Sequence, residues 1–185
     1  MTAFLTTTPT ICVGWVTPTP TFFAVAMDLR WKPNVTVAAI IETNGRFVLV
    51  EEQAADGLRL NNPAGHLDPG ETPAQACARE ALEETAYAFS PVSLVGIYMS
   101  RQIQANGTDT TYLRFAFCGT LGAFHPDRSL DTGIVRTLWM THEEIQASAH
   151  RHRSPMLLQG VHDYLNGQRY PLELIHAHSS IRIGS

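Results

Sequence analysis

The chain has 185 residues, 44% of them apolar and 16% charged, with 13 lysine and arginine residues, 17 aspartate and glutamate residues and a formal net charge of -4. This composition indicates one globular domain and excludes a largely disordered chain. With no basic stripe, a nucleic-acid polymer is an unfavourable partner, and with no apolar run of about 18 residues, no membrane span is predicted.

The three cysteines, Cys12, Cys77 and Cys118, are far apart in the sequence and outside any C-x-x-C spacing. They therefore predict neither a disulfide framework nor a zinc site, which fits a cytoplasmic protein. We expect a monomer whose partner is a small molecule.

Residues 1–26 contain no charged residue, follow no clear apolar period and are interrupted by three prolines. Without a basic n-region they make a poor secretory signal. We interpret this segment as a disordered leader, or as an artefact of an upstream start site with Met27 as the true first residue. The predicted organisation is a leader over 1–30, a domain over 31–176 and a flexible tail over 177–185.

Apolar runs and turn signals predict that strands and short helices follow one another along the domain. Asn44-Gly45, between two β-branched apolar runs, predicts a β-hairpin at its start. Helix-start signals at Thr72, Thr141 and Ser154 predict three helices, the last ending near residue 165. The predicted strands cover residues 35–42, 46–51, 58–60, 92–100, 112–121 and 137–140. This order predicts a mixed sheet with interspersed helices, an α/β or α+β fold.

The helix predicted to begin near residue 73 carries a local concentration of acid. At about 100° per residue, Glu80, Glu83 and Glu84 fall within one arc of about 100°. Like charges at this spacing destabilise a helix by about 0.2–0.5 kcal/mol per pair. The opposite arc, predicted to pack on a sheet, carries Ala74, Ala78, Ala81, Leu82 and Thr85.

Two interpretations of this acidic arc remain open from the residues alone. A divalent cation would relieve the repulsion, and clustered carboxylates suit Mg²⁺, Mn²⁺ or Ca²⁺, of which Mg²⁺ is commonly shared with substrate phosphates. Alternatively, the arc is a solvated face on which Arg79 offsets part of the charge. The first interpretation connects the helix to phosphate chemistry.

A wider pattern favours the first interpretation. Gly65, Glu71, Arg79 and the three glutamates follow the order G-x5-E-x7-R-E-x-x-E-E, which resembles the signature of the Nudix hydrolase family. Other segments resemble the NudJ-type phosphatases within that family. They are KPNVTVA at 32–38, NPAGHLDPGET at 62–72, RSP at 153–155 and GQRYPLELI at 167–175.

The resemblance implies a Nudix-like α/β/α sandwich with a mixed sheet and a catalytic loop, helix and loop. It implies a hydrolase that uses Mg²⁺, or Mn²⁺ as an alternative, to cleave phosphoric anhydride bonds. The implied substrates are hydroxymethylpyrimidine pyrophosphate, thiamine pyrophosphate and nucleoside di- and triphosphates, with release of orthophosphate. Two other functions stay open: a nucleotide-sugar or dinucleotide pyrophosphatase of the same fold, and a non-catalytic nucleotide sensor.

The resemblance also implies a role for each signature residue. The implied metal ligands are Gly65, Glu80, Glu83 and Glu84. Glu80 or Glu83 would act as general base, Arg79 would orient the acidic helix, and Glu71 would support Arg79 through a salt bridge.

Residues outside the signature supply further candidates. His66 follows the signature glycine, and Arg151 and Arg153 are candidates for binding a substrate phosphate. For each of these three, a structural role in a loop is the alternative. The candidates for an additional acid are Asp131, Glu143 and Glu144.

Two further expectations concern Ala86 and a set of aromatic residues. Ala86 stands where the family usually has a glycine in a left-handed conformation, which costs a residue with a Cβ about 1 kcal/mol. We therefore expect the helix to end differently here. Tyr112, Phe115 and Phe117 are predicted to share one strand face and to pack in the core, with stacking on a pyrimidine ring as the alternative.

Overall fold

The computed structural model describes residues 30–103 and 106–181. The predicted leader therefore lies outside the described residues, apart from Arg30, and so do the last residues of the predicted tail. No helix in the described ranges has the length and apolar character needed to cross a membrane. Cys77 and Cys118 are buried and free, whereas Cys12 falls outside these ranges.

The strands are β1 (Asn34–Ile40), β2 (Glu42–Thr43), β3 (Arg46–Ala54), β4 (Gly57–Asn61), β5 (Ala64–His66), β6 (Tyr87–Ile103), β7 (Asp109–Phe124), β8 (Ile134–Thr141) and β9 (Tyr170–Pro171). The helices are α1 (Pro73–Thr85), α2 (His142–Ala147) and α3 (Met156–Leu165). Short 3-10 turns cover Ala149–Arg151, Leu172–Leu174 and Ser179–Ile181.

The strands form two sheets. The first has the order β5-β1-β7-β6-β9, in which β1 and β7 are parallel and the other neighbours are antiparallel. The second contains β2, β3 and β4 in that order, with β8 also paired to β3. The predicted mixed sheet with interspersed helices is confirmed.

Two apolar clusters fill the interior on opposite faces of the first sheet. Because successive residues of a strand point to opposite faces, Ala38 and Ile40 of β1 belong to one cluster and Val37 and Ala39 to the other. The first cluster also contains residues of α3, and the second contains residues of α1. The first sheet is therefore covered by a helix on each face.

The predicted opening hairpin is wrong in its pairing. The Asn44-Gly45 turn joins the two-residue β2 to β3, whereas β1 pairs with β5 and β7 in the other sheet. The chain changes sheets at Ile41, whose carbonyl accepts a hydrogen bond from the Val48 amide at 2.9 Å. A continuous apolar run such as β1 is typical of a central strand that is buried on both faces, and this burial decides its partners.

The structure also differs from the prediction in strand lengths. β6 and β7 continue well beyond their predicted ends, and register shifts in β6 accommodate the segment around Pro91. β5 and β9 were not predicted, because three and two residues are too few for a recognisable alternation.

The start of α1 agrees with its sequence signal. The Gln75 amide donates to Thr72 Oγ1 at 3.2 Å, and the Thr72 amide donates to Gln75 Oε1 at 2.9 Å. The predicted capping box is therefore present, and Pro73 occupies the first turn of the helix. The same arrangement between Thr141 and Glu144 starts α2.

The end of α1 corrects the expectation for Ala86. This residue keeps the left-handed conformation, with φ 59° and ψ 10°, despite its Cβ. Its amide donates to the Leu82 carbonyl at 3.0 Å, and its carbonyl accepts from the His125 amide at 2.9 Å. These two hydrogen bonds and its burial hold a conformation that alanine alone disfavours.

We predict that Ala86→Gly stabilises the protein by about 1 kcal/mol, because glycine adopts this conformation without steric cost. The measurement is thermal unfolding, in which the melting temperature should rise by about 2–4 °C for a chain of this size. Ala78→Gly, within the same helix, is the control and should lower it. A lower melting temperature for Ala86→Gly would contradict the assigned strain.

Candidate active site

The candidate site begins with the short edge strand β5. Its register with β1 places Gly65 opposite Val37 and His66 opposite Thr36. The chain then turns through Gly70, which has φ 94°, and enters α1. This path brings the backbone of β5 against the side of α1 that carries the acidic residues.

Gly65 and Glu80 are in close contact. A Cβ atom added at Gly65 would overlap the carboxylate of Glu80. Only glycine therefore allows the carboxylate to lie directly against this backbone. The contact gives a physical reason for a glycine at the first position of the signature.

Arg79 joins the loop to the helix. Its Nε and Nη2 donate to the two carboxylate oxygens of Glu71 at 3.0 and 2.7 Å. Its Nη1 donates to Glu80 at 2.7 Å and to Glu83 at 3.1 Å. Nη2 also donates to the His66 carbonyl at 3.0 Å. The predicted salt bridge between Glu71 and Arg79 is present, and it lowers the pKa of Glu71.

Glu84 lies deeper than the other two acids of the helix. It is 6% exposed, and its Oε2 accepts a hydrogen bond from the Ala64 amide at 2.8 Å. Burial raises its pKa to about 8 against the opposing effect of this hydrogen bond, and nearby Glu80 and Glu52 add to the rise. Burial also raises the pKa of Glu80, which is 8% exposed.

This burial corrects the prediction that the acidic and core arcs of α1 are opposite. Glu80 and Glu84 are buried together with Ala81 and Thr85, whereas Leu82 is only half-buried. α1 packs on the first sheet, and its acidic side lies against β5 at the edge of that sheet, so Glu80 and Glu84 lose contact with water. The alternative of a solvated acidic face is therefore excluded for Glu80 and Glu84.

The carboxylates are held by protein groups in this structure. In the two described ranges, no group of three or more histidine, cysteine, aspartate or glutamate side chains is arranged to hold a metal ion. Arg79 draws Glu80 and Glu83 towards itself, while Glu84 faces the Ala64 amide. The donor set still fits a hard cation, because buried carboxylate oxygens beside a backbone loop are ligands that Mg²⁺ accepts.

A cavity of about 150 Å³ lies beside this cluster, and Gly65 lines it. His66 and Arg153 also line the cavity, where Arg153 Nε lies 3.4 Å from Glu52 Oε1. Arg151 does not line it, because its guanidinium pairs instead with buried Glu51. The structure thus brings two of the three predicted substrate-binding residues to the site.

Of the three candidates for an additional acid, one lies near α1 and two lie on α2. Asp131 lies near the end of α1, where its amide donates to the Glu83 carbonyl at 2.9 Å. Its charge contributes to the raised pKa of Glu80 and Glu84. Glu144 is used in the capping box of α2 and lies 3.4 Å from Arg46, and Glu143 is exposed on that helix.

Glu52 and Arg114 also line the cavity and were not predicted from the sequence. Glu52 follows Glu51 at the end of the apolar run of β3, whereas Arg114 stands between Leu113 and Phe115 in β7, a signal that was available in the sequence. The expectation that Tyr112 shares a face with Phe115 and Phe117 is wrong. Tyr112 lines the cavity with Arg114, whereas Phe115 and Phe117 pack in the cluster under α1. Because successive residues of β7 point to opposite faces of the sheet, Tyr112 shares a face with Arg114 and not with Phe115 or Phe117.

The protein-family model for the NUDIX domain matches residues 30–159 of the sequence. The chain belongs to the NUDIX family. It is 38% identical over 146 residues to the phosphatase NudJ of Escherichia coli K12, an alignment that covers 78% of this chain and 92% of that enzyme. NUDIX membership and this similarity confirm the prediction of an enzyme that hydrolyses phosphoric anhydride bonds.

Solved structures agree with this NUDIX assignment. A NUDIX hydrolase from Nitrosomonas europaea is 50% identical, with a TM-score of 0.76, and the match covers 80% of this chain and 99% of that one. A UDP-X diphosphatase matches with a TM-score of 0.56 at 18% identity, covering 77% of this chain and 67% of that one. The second likeness shows the fold alone. The predicted Nudix-like sandwich is confirmed.

We predict that Gly65→Ala displaces the Glu80 carboxylate and lowers turnover by about 10²-fold, because small misplacements at a reacting centre have effects of this size. The measurement is hydrolysis of a phosphoric anhydride substrate, with thermal unfolding as the test of folding. Gly160→Ala in α3 is the matched control, because its Cβ would meet only Ile40 at 3.2 Å. Full activity of folded Gly65→Ala would remove this contact from the account.

A second prediction uses the pH dependence of Glu84. Its folded-state pKa of about 8 lies above the ordinary glutamate value of 4.5, so the folded protein binds more protons between these values. Stability of the metal-free protein should therefore fall as pH rises through this window. Glu84→Gln removes this contribution and keeps an acceptor for the Ala64 amide.

The measurement is denaturant unfolding of both proteins in EDTA at several pH values. The stability of Glu84→Gln relative to the parent should increase up to about pH 8 and then level off, at about 1.4 kcal/mol or less per unit of pKa shift. Parallel stability profiles would show that Glu84 titrates normally.

Proposed function

We propose that this chain is a metal-dependent phosphatase that releases orthophosphate from small diphosphate-linked metabolites. The substrate classes are hydroxymethylpyrimidine pyrophosphate, thiamine pyrophosphate and nucleoside di- and triphosphates. The observation that carries the proposal is the burial of Glu80 and Glu84 against β5, beside a small cavity that Arg153 lines. Acidic groups for a cation and a basic group for an anion thus lie next to each other.

The proposed metal is Mg²⁺, with Mn²⁺ as the alternative. Glu80, Glu83 and Glu84, with the carbonyl of Gly65, would hold it. When bound, such a cation neutralises phosphate charge and makes a water molecule more acidic. Holding the cation also gives the buried charge of Glu84 a partner, which the Ala64 amide alone supplies only in part.

The residues of α1 have separate proposed tasks. Arg79 positions Glu80 and Glu83 through direct hydrogen bonds, and Glu71 in turn fixes the guanidinium of Arg79. Glu80 is the preferred general base, because burial raises its pKa and so improves its ability to accept a proton near neutral pH. Glu83 remains the alternative, since it is the more exposed of the two.

The cavity supports a small substrate. Arg153 offers a guanidinium for phosphate oxygens, and the exposed side chain of His66 lies at the same cavity. A cavity of about 150 Å³ accommodates one small group of a substrate rather than a stretch of polymer. These features favour a metabolite over a nucleic acid.

The test is a substrate panel with Mg²⁺, scored for both orthophosphate and nucleoside monophosphate. It contains the proposed substrates, ADP-ribose, a nucleotide sugar and a dinucleotide, with EDTA as the metal-free control. We expect orthophosphate from the diphosphate metabolites and no turnover in EDTA. Release of only nucleoside monophosphate would support the pyrophosphatase alternative, and binding without turnover would support the sensor.

Glu84→Gln connects this activity to the acidic helix. Turnover should fall by about 10²-fold or more, because a ligand charge near the phosphate is lost. Stabilisation by Mg²⁺ should also fall, which thermal unfolding with and without the metal measures. Glu173→Gln, at an exposed position outside the site, is the matched control and should behave like the parent. Equal turnover and equal Mg²⁺ stabilisation in both variants would contradict the proposed metal site.

A further inference from the structure

The cavity beside α1 contains polar groups whose hydrogen-bonding capacity is not used. In the described part of the chain, Thr36 Oγ1, Glu52 Oε1 and Arg114 Nε are buried atoms without a hydrogen-bond partner. Thr36 is 5% exposed and Arg114 is 7% exposed, and all three residues line the cavity. Buried polar groups are rarely left unpaired in folded proteins, so this combination indicates a ligand.

Strands of both sheets bring these groups to the same cavity. Thr36 of β1 is directly paired with Arg114 of β7, so both side chains project from the same face of the first sheet. Glu52 belongs to β3 of the second sheet and reaches the cavity from the other side. The cavity therefore presents both a donor and an acceptor, which come from strands of different sheets.

The charged neighbours leave Arg114 without a close ion pair. Its Nη1 lies 3.4 Å from Asn61 Oδ1, a long hydrogen bond, and its burial lowers the pKa of Arg114 to about 10. Glu52 has its nearest basic partner in Arg153, at 3.4 Å and without hydrogen-bond geometry. Burial raises the pKa of Glu52. Both side chains thus retain capacity for a polar ligand.

The pattern of donors and acceptors restricts the ligand. A phosphate group at neutral pH accepts hydrogen bonds, so it would satisfy Arg114 and leave Glu52 facing a like charge. A nitrogen heterocycle with an amino group beside a ring nitrogen presents both a donor and an acceptor. A cavity of about 150 Å³ matches a single six-membered ring, since an engineered cavity of this volume in another protein binds benzene.

We propose that Glu52 and Arg114 are specificity-determining residues that hydrogen-bond the amino-substituted ring at the organic end of the substrate. Glu52 accepts from the amino group, and Arg114 donates to the ring nitrogen. The diphosphate then lies towards Gly65, which lines the cavity and contacts Glu80. This assignment rests on the proposed function for the phosphate end only, because recognition of the ring does not require hydrolysis.

The first test measures binding of ring fragments to the whole metal-free protein. The probes are 4-aminopyrimidine and the equally sized 4-methylpyrimidine, titrated while the backbone amide resonances of Thr36 and Arg114 are followed by NMR. We expect the parent to bind the amino compound about fivefold or more tightly, and Glu52→Met to lose this preference. Arg114→Met should weaken binding of both compounds.

Folding of each variant is checked by thermal unfolding. The double variant Glu52→Met with Arg114→Met removes both charges and avoids leaving one of them alone in the interior. It should fold and bind neither compound measurably. Asp109→Asn, which changes an exposed ion pair with Arg101, is the control and should bind as the parent does. An amino preference that survives in Glu52→Met, or inorganic phosphate shifting the same resonances in place of the ring, would overturn the proposal.

The second test separates this proposal from the proposed function. With Mg²⁺, Glu52→Met should raise KM about tenfold more for hydroxymethylpyrimidine pyrophosphate than for methyl diphosphate, which has no ring. Equal losses with both substrates would show that Glu52 has no role in ring recognition. If the parent hydrolyses neither compound, the proposed function fails, while the fragment titration still decides the role of Glu52 and Arg114.

Discussion

The guanidinium of Arg79 is the contact on which the geometry of the site depends. It joins Glu71 and the His66 carbonyl, on the loop before α1, to Glu80 and Glu83 on the helix itself. Since a guanidinium is planar, pairing with both oxygens of Glu71 fixes its orientation as well as its position. The side of α1 that faces β5 is therefore set by charge pairing in addition to apolar packing.

This arrangement has a cost that the rest of the domain must offset. Burying a carboxylate without a full counter-charge is unfavourable, and the raised pKa values of Glu80 and Glu84 reflect that cost. The apolar residues under α1 and the capping box at its start supply local stability. Concentrated buried negative charge is expected at the sites of enzymes that trade stability for function.

Local signals predicted the site better than they predicted the sheet. The capping box at Thr72, the acidic spacing and the salt bridge between Glu71 and Arg79 each involve residues close in sequence, so their geometry follows from helix periodicity. The family signature, read from the same stretch, indicated the glycine against which Glu80 packs. The sequence could not show that the acidic side of α1 lies against β5, which is why the burial of Glu80 and Glu84 was missed.

Contacts between distant residues were the least predictable part. The partners of β1 lie in β5 and in β7, and nothing in the apolar run of β1 distinguishes them from the adjacent β3. Glu52 and Arg114 line one cavity from strands of different sheets, so their proximity depends on tertiary packing. Ala86 shows the reverse case, in which hydrogen bonds from the surrounding fold impose a conformation that local propensity disfavours.

The buried acids of α1 form the proposed cation site beside the cavity. A crystal structure of the protein soaked with Mn²⁺, with anomalous scattering used to locate the metal, decides whether a cation binds there. We expect a Mn²⁺ ion bound by carboxylate oxygens of Glu80 and Glu84 and by the Gly65 carbonyl, with Arg79 still paired to Glu71. A metal bound at other residues, or Glu80 and Glu84 unchanged in crystals with saturating Mn²⁺, would contradict it.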